Sequence, residues 1–169
     1  LGETKRMKIE LGLVFPDPQH VVIQSQLGIT QALSFDNPLT ANSLKNIRWY
    51  LEVYSTQYMT DVDDKRAKDI EKLFPEWGNA LFKASLGLPQ AQSAFQQFYN
   101  QKNGRVLTIG ASHPNILSLP WELLHIPGGD FLFNSNPQIS IRRRFNKISD
   151  SSQKNYQSKT KVRLLFIVS

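Results

Sequence analysis

Residues 7–15 alternate Met7, Ile9, Leu11, Leu13 and Phe15 with Lys8, Glu10 and Gly12, the period-two pattern of a strand with one buried face. Pro16, Asp17 and Pro18 then turn the chain, and residues 20–25 (HVVIQS) return as a second strand, so a hairpin is predicted. A further short extended piece covers residues 30–35 and leads into Asp36-Asn37-Pro38. From Leu39 the period lengthens. Leu44, Ile47, Tyr50, Leu51 and Tyr54 recur at three and four residues, which predicts an amphipathic helix capped by Thr40 or Asn42 and ending near Gln57. A second helical pattern opens on Asp61–Arg66, carries Ile70, Leu73 and Phe74, and is interrupted by Pro75. Pro75 also suits the first turn of a new helix, with Trp77, Leu81, Phe82 and Leu86 inward and Gly87 as its stop. Residues 89–99 read as one more helix burying Ala91, Ala94, Phe95 and Phe98, and Asn103-Gly104 ends it.

Beyond that helix, short extended pieces return. Residues 105–109 (RVLTI) read as a strand, followed by a loop around Pro114, the apolar stretch 119–124, a Gly128-Gly129-Asp130 hairpin turn into a strand at 131–133, and an alternating strand over 138–142. Residues 146–160 are polar and rich in Ser, Lys and Gln, the composition of a linker. The stretch VRLLFIV at 162–168 is apolar on both faces, as in a central strand of a covered parallel sheet. A chain that begins with Leu1 and stops as that strand completes reads as cut at both ends. The fold class expected is α/β, a mixed sheet with a central group of helices. In domain terms, residues 1–145 form the main unit, 146–160 a linker, and 161–169 the opening strand of another unit.

Composition narrows the chemistry. The 169 residues are enough for one domain with a substantial core. There is no cysteine, which excludes disulfides, thiolate metal sites and a cysteine nucleophile within these residues. No signal peptide or membrane-spanning run is visible, so the expectation is a soluble, cytoplasmic protein without a membrane partner. The net charge of +6 is local: residues 1–141 hold 12 basic and 13 acidic side chains, whereas 142–169 hold 8 basic ones against Asp150 alone.

The candidate sites are few. His20, His113 and His125 are far apart and show no metal-ligand spacing, so they read as structural or surface residues, and no motif demands a cofactor or metal. Asp61, Asp63 and Asp64 lack the ligand order of a calcium loop and instead place negative charge at a helix N-terminus. Alternation along a strand sends Arg142 and Arg144 to one face and Arg143 to the other, which argues against a single phosphate-binding patch and against nucleic acid as a partner; one of these arginines can instead meet a carboxylate such as Glu122. Within Leu119-Pro120-Trp121-Glu122-Leu123-Leu124, Trp121 and Leu124 share a packed face and Glu122 is expected in apolar surroundings, as a buried carboxylate in need of a partner. Glu122 and Asp130 show no paired geometry for acid–base catalysis.

These pieces resemble a known family. The 119–124 segment, Gly129-Asp130-Phe131-Leu132, the strand Ile139-Ser140-Ile141-Arg142-Arg143, the polar linker and residues 162–169 together look like the amino-terminal part of the CHAT family, caspase-like cysteine peptidases of separase-like design that are often associated with tetratricopeptide repeats, including in bacteria. The upstream order of hairpin, Phe35-Asp36, helix, the 70–86 stretch and the 105–109 strand is similar too. The resemblance implies a non-catalytic caspase-like half, ending in the first strand of a catalytic half whose His and Cys lie further on. It places Trp121, Glu122, Leu123, Leu124, Arg142 and Arg143 in structural roles and assigns no catalytic residue here. It further implies a downstream catalytic half, repeat domains or a regulatory protein as partners, and a polypeptide substrate for the whole. The alternative from charge alone is a stand-alone interaction module whose basic C-terminal segment binds an acidic protein or nucleic acid.

Overall fold

The computed structural model describes residues 9–56, 60–102 and 104–146. Strand β1 (Ile9–Asp17) and β2 (His20–Ser25) form the expected antiparallel hairpin. The first strand runs through Pro16 to Asp17, so Pro18 and Gln19 make the turn. The third extended piece is broken into two short strands, β3 (Gly28–Ile29) and β4 (Leu33–Ser34), both paired antiparallel with β2.

Four helical elements follow. Thr40 caps α1 (Ala41–Arg48), its side chain accepting from the Ser43 amide. The helix then widens into a π-helical segment, Trp49–Tyr54. That widening corrects the predicted regular helix. Passing to i→i+5 bonding rotates the stripe, so Leu51 is exposed and no residue of the segment is buried. Helix α2 (Asp61–Glu71) starts with a reciprocal capping box between Thr60 and Asp63, one of the three aspartates in its first turn. The side chain of Leu73 is exposed, although its spacing from Ile70 places it on an inward stripe. Helix α3 (Phe74–Ser85) has Pro75 in its first turn, and α4 (Pro89–Tyr99) has the predicted bounds and buries Ala91, Ala94, Phe95 and Phe98.

Strand β5 (Arg105–Ala111), the short helix α5 (Pro114–Leu117) and strand β6 (Ile139–Phe145) complete the described chain. Between α5 and β6 lie two 3-10 turns, Trp121–Leu123, in keeping with a short turn or helix anchored between strands, and Leu132–Asn134, where a strand was predicted over 131–133. At the second, the Asp130 carboxylate accepts from the Phe131 amide (2.7 Å) and the Asn134 side-chain amide (3.1 Å), which curls the chain instead of extending it. The Gly128 turn is as expected, with φ of 71° at Gly128 and a bridge between His125 and Phe131.

The main path of the six-stranded sheet is β3-β2-β1-β5-β6, with β4 also on β2. Strands β1, β5 and β6 are parallel and β2 is antiparallel, a mixed sheet as predicted. One face carries Leu11, Leu13, Phe15, Leu107, Ile109 and Ile139, which form a single core cluster with residues of α3, α4, α5 and the 119–132 region. The other face carries Glu10, Gly12, Thr108, Gly110, Arg142 and Arg144. No helix among the described residues is long and apolar enough to cross a membrane. Of the linker predicted over 146–160, residues 147–160 lie outside the described residues, as does the apolar stretch 162–168.

Candidate functional site

Trp121 is the anchor of the 119–124 segment. Its ring is fully buried, its Nε1 donates to the Ile116 carbonyl at 2.8 Å, and it meets Phe15 and Phe35 at centroid separations of 5.5 and 6.2 Å. Phe15 ends the apolar stretch of β1 and Phe35 follows β4, so one indole joins the hairpin to the β5–β6 connection. Leu124 is buried beside it, and the Leu123 carbonyl faces Gly78 of α3. A methyl group added at Gly78 would lie 1.9 Å from that oxygen, so only glycine permits this approach.

Glu122 points the other way, because the 3-10 turn sends successive side chains to different sides. Its side chain is 54% exposed, which corrects the expected buried carboxylate. The expected partner is present: Arg143 of β6 grips both carboxylate oxygens, with Nη2 at 2.7 Å from Oε2. The same guanidinium donates from Nε to the Leu117 carbonyl (2.7 Å) and from Nη2 to the Leu119 carbonyl (3.1 Å). Partial burial pushes the Glu122 carboxyl up, but the Arg143 hydrogen bonds and charge outweigh it and hold the group below the usual glutamate range.

Arg142 lies on the opposite face, as strand alternation requires. Its Nη2 sits 2.8 Å from Glu10 Oε1 and 3.1 Å from Thr108 Oγ1, and Thr108 donates to the same glutamate oxygen at 2.6 Å. The Thr108 hydroxyl is the main cause of the depressed Glu10 carboxyl, with Arg142 and then Arg144 adding to it. Arg142 and Arg143 are thus each engaged with a carboxylate, on opposite faces, and do not form one cationic patch.

Two contributions escaped the sequence reading. Arg105 is almost fully buried at the start of β5, donating to the Tyr99 and Pro137 carbonyls. It ties the end of α4 to the loop before β6. The available signal was register: Arg105 lies beside Ile9 and Ile139, both inward. Gly78 is the other, and a glycine inside a helical pattern was its only trace.

The histidines are dispersed: His20 pairs with Asp17 at 2.9 Å in the hairpin, His113 precedes α5, and His125 packs edge-on against Phe131 at 4.8 Å. Among the described residues, no three His, Asp or Glu side chains gather to hold a metal. The arrangement therefore fixes position: the Arg143–Glu122 fork ties β6 to the 119–124 turn, the Arg142–Glu10 pair ties β6 to β1 on the other face, and the buried indole ties the turn to the hairpin. Compared with family models, with curated proteins and with solved structures, the chain finds no match.

Proposed function

We propose that this chain is the non-catalytic amino-terminal half of a caspase-like cysteine peptidase of the CHAT type, a scaffold for a catalytic half encoded downstream. The observation that carries the reading is the Glu122–Arg143 fork, which joins the two segments on which the resemblance rests most heavily, 119–124 and 139–143. The mixed sheet and the lack of any cysteine agree with a supporting half. In the whole enzyme, a thiolate from the downstream half attacks the peptide carbonyl, a histidine of that half serves as base, and backbone donors hold the oxyanion. This half contributes shape: β6 and the 119–124 turn form a rigid support on which the catalytic sheet is seated, beside the polypeptide cleft.

The test has two arms. The coding sequence beyond Ser169 is expected to supply a histidine after one strand and a cysteine after a later one. The 169-residue chain alone is expected to show no peptide hydrolysis, while the full-length protein hydrolyses peptides in a manner blocked by thiol alkylation. Turnover by the isolated chain, or a downstream sequence without that pair, overturns the reading.

A further inference from the structure

The helices between β4 and α3 present a face that the sheet does not use. Leu39, Ile47, Ala67 and Ile70 are buried but do not belong to the main core cluster. Along α2 and its continuation, residues 62, 65, 66, 69, 70 and 73 recur at three and four positions and so share one stripe. Val62 is 78% exposed and Leu73 36%, and the stripe lines a groove of about 400 Å³ that Asn46 of α1 closes on its far side. At about 1.5 Å of rise per residue, the two apolar ends stand roughly 16 Å apart.

Between them the groove is cationic. The Arg66 guanidinium lies 3.8 Å above the Trp49 ring and donates to Asn46, and Lys65 is beside it. Asp69, the one acidic side chain in the lining, is already paired with Lys72 at 2.9 Å. Outside the lining, the π-helical segment that continues α1 is tied to α2 and to the start of α3 before any partner arrives. Tyr50 of the π-helical segment donates to Glu71, Tyr54 donates to Asp64 at 2.8 Å, and Tyr50 packs edge-on against Phe74 at 5.1 Å. Helices already tied to one another lower the ordering cost of docking on the groove they line.

We propose that this groove docks an acidic amphipathic helix of a partner protein, with apolar side chains at Val62 and Leu73 and a carboxylate between them on Lys65 and Arg66. An apolar–cationic–apolar stripe along one helix is matched by an apolar–acidic–apolar stripe along another, the helix-in-groove mode of recognition. The inference does not depend on the peptidase reading.

Two labelled helical peptides of about 20 residues test it, alike in carrying leucines eleven positions apart and differing only in having glutamates or lysines between them. Each is titrated into the 169-residue chain and followed by fluorescence anisotropy. The glutamate peptide is expected to bind at least about tenfold tighter than the lysine peptide, with a preference that shrinks as salt is added. Val62→Asp is expected to weaken it about tenfold, and Lys65→Glu to remove the preference; both positions are exposed, and far-ultraviolet circular dichroism checks that each variant is folded. No saturable binding of the glutamate peptide, equal binding of the two peptides, or binding that Val62→Asp leaves unchanged would overturn the proposal.

Discussion

On one face of the sheet, Leu11, Leu13, Leu107 and Ile109 are closed beneath α3, α4 and the 119–124 turn, while on the other Glu10, Thr108 and Arg142 lie across the strands with Gln24, Ser140 and Arg144 exposed around them. The first face is held by removal of apolar surface from water, the second by a small charge-assisted network at half exposure. Neighbouring residues of β6 divide between the two regimes. Arg143 reaches over the covered side and satisfies two backbone carbonyls that water would otherwise serve; Arg142 bridges side chains alone. The difference teaches where the fold is brittle and where it tolerates change.

Substitutions that break the covered side should cost most. Trp121→Ala removes the indole joining Phe15 and Phe35 and is expected to destabilise by about 3–5 kcal/mol, read from the midpoint of chemical denaturation. Gly78→Ala drives a methyl group onto the Leu123 carbonyl and is expected to cost about 1–3 kcal/mol, against the small gain that alanine brings to an exposed helix site. The two arginines sharpen the comparison directly: Arg143→Ala is expected to cost about 2 kcal/mol and Arg142→Ala under about 1 kcal/mol, with only the latter loss largely reproduced by high salt.

The smallest effect is that of pH. Glu10 and Glu122 both titrate below the usual glutamate value of about 4.3 in the folded chain. Their contribution is complete above that value and is lost as pH falls through the depressed folded-state values, because the unfolded chain takes up protons first. Glu122→Gln and Glu10→Gln are therefore each expected to flatten the acid limb of a stability–pH profile while leaving stability near pH 7 modestly reduced.

The hairpin and α4 were legible because one period ran uninterrupted through each, and strand alternation alone placed Arg142 and Arg143 on opposite faces. The partner of Glu122 was legible; its exposure was not. An apolar sequence around a carboxylate does not reveal that a 3-10 turn will swing it away from Trp121. Leu51 was misplaced because the helix changes its bonding pattern at Trp49, which no local spacing announces. The strand expected at 131–133 was lost to the side chain of Asp130, a competition between local and cross-strand hydrogen bonds that periodicity does not weigh. Arg105 was passed over because arginine at a strand end is ordinarily solvated, and only pairing with Ile9 and Ile139 reveals that it faces inward.

The contact between Gly78 and the Leu123 carbonyl also bears on how the molecule moves. Two surfaces that meet through side chains can slide as rotamers adjust, but backbone against backbone leaves no compliant layer between them. Helix α3 and the 121–124 turn should therefore shift as one body, so that a displacement of α3 reaches the Glu122–Arg143 fork undiminished. Amide hydrogens in both elements would then exchange on a common timescale, although about forty residues of chain separate them.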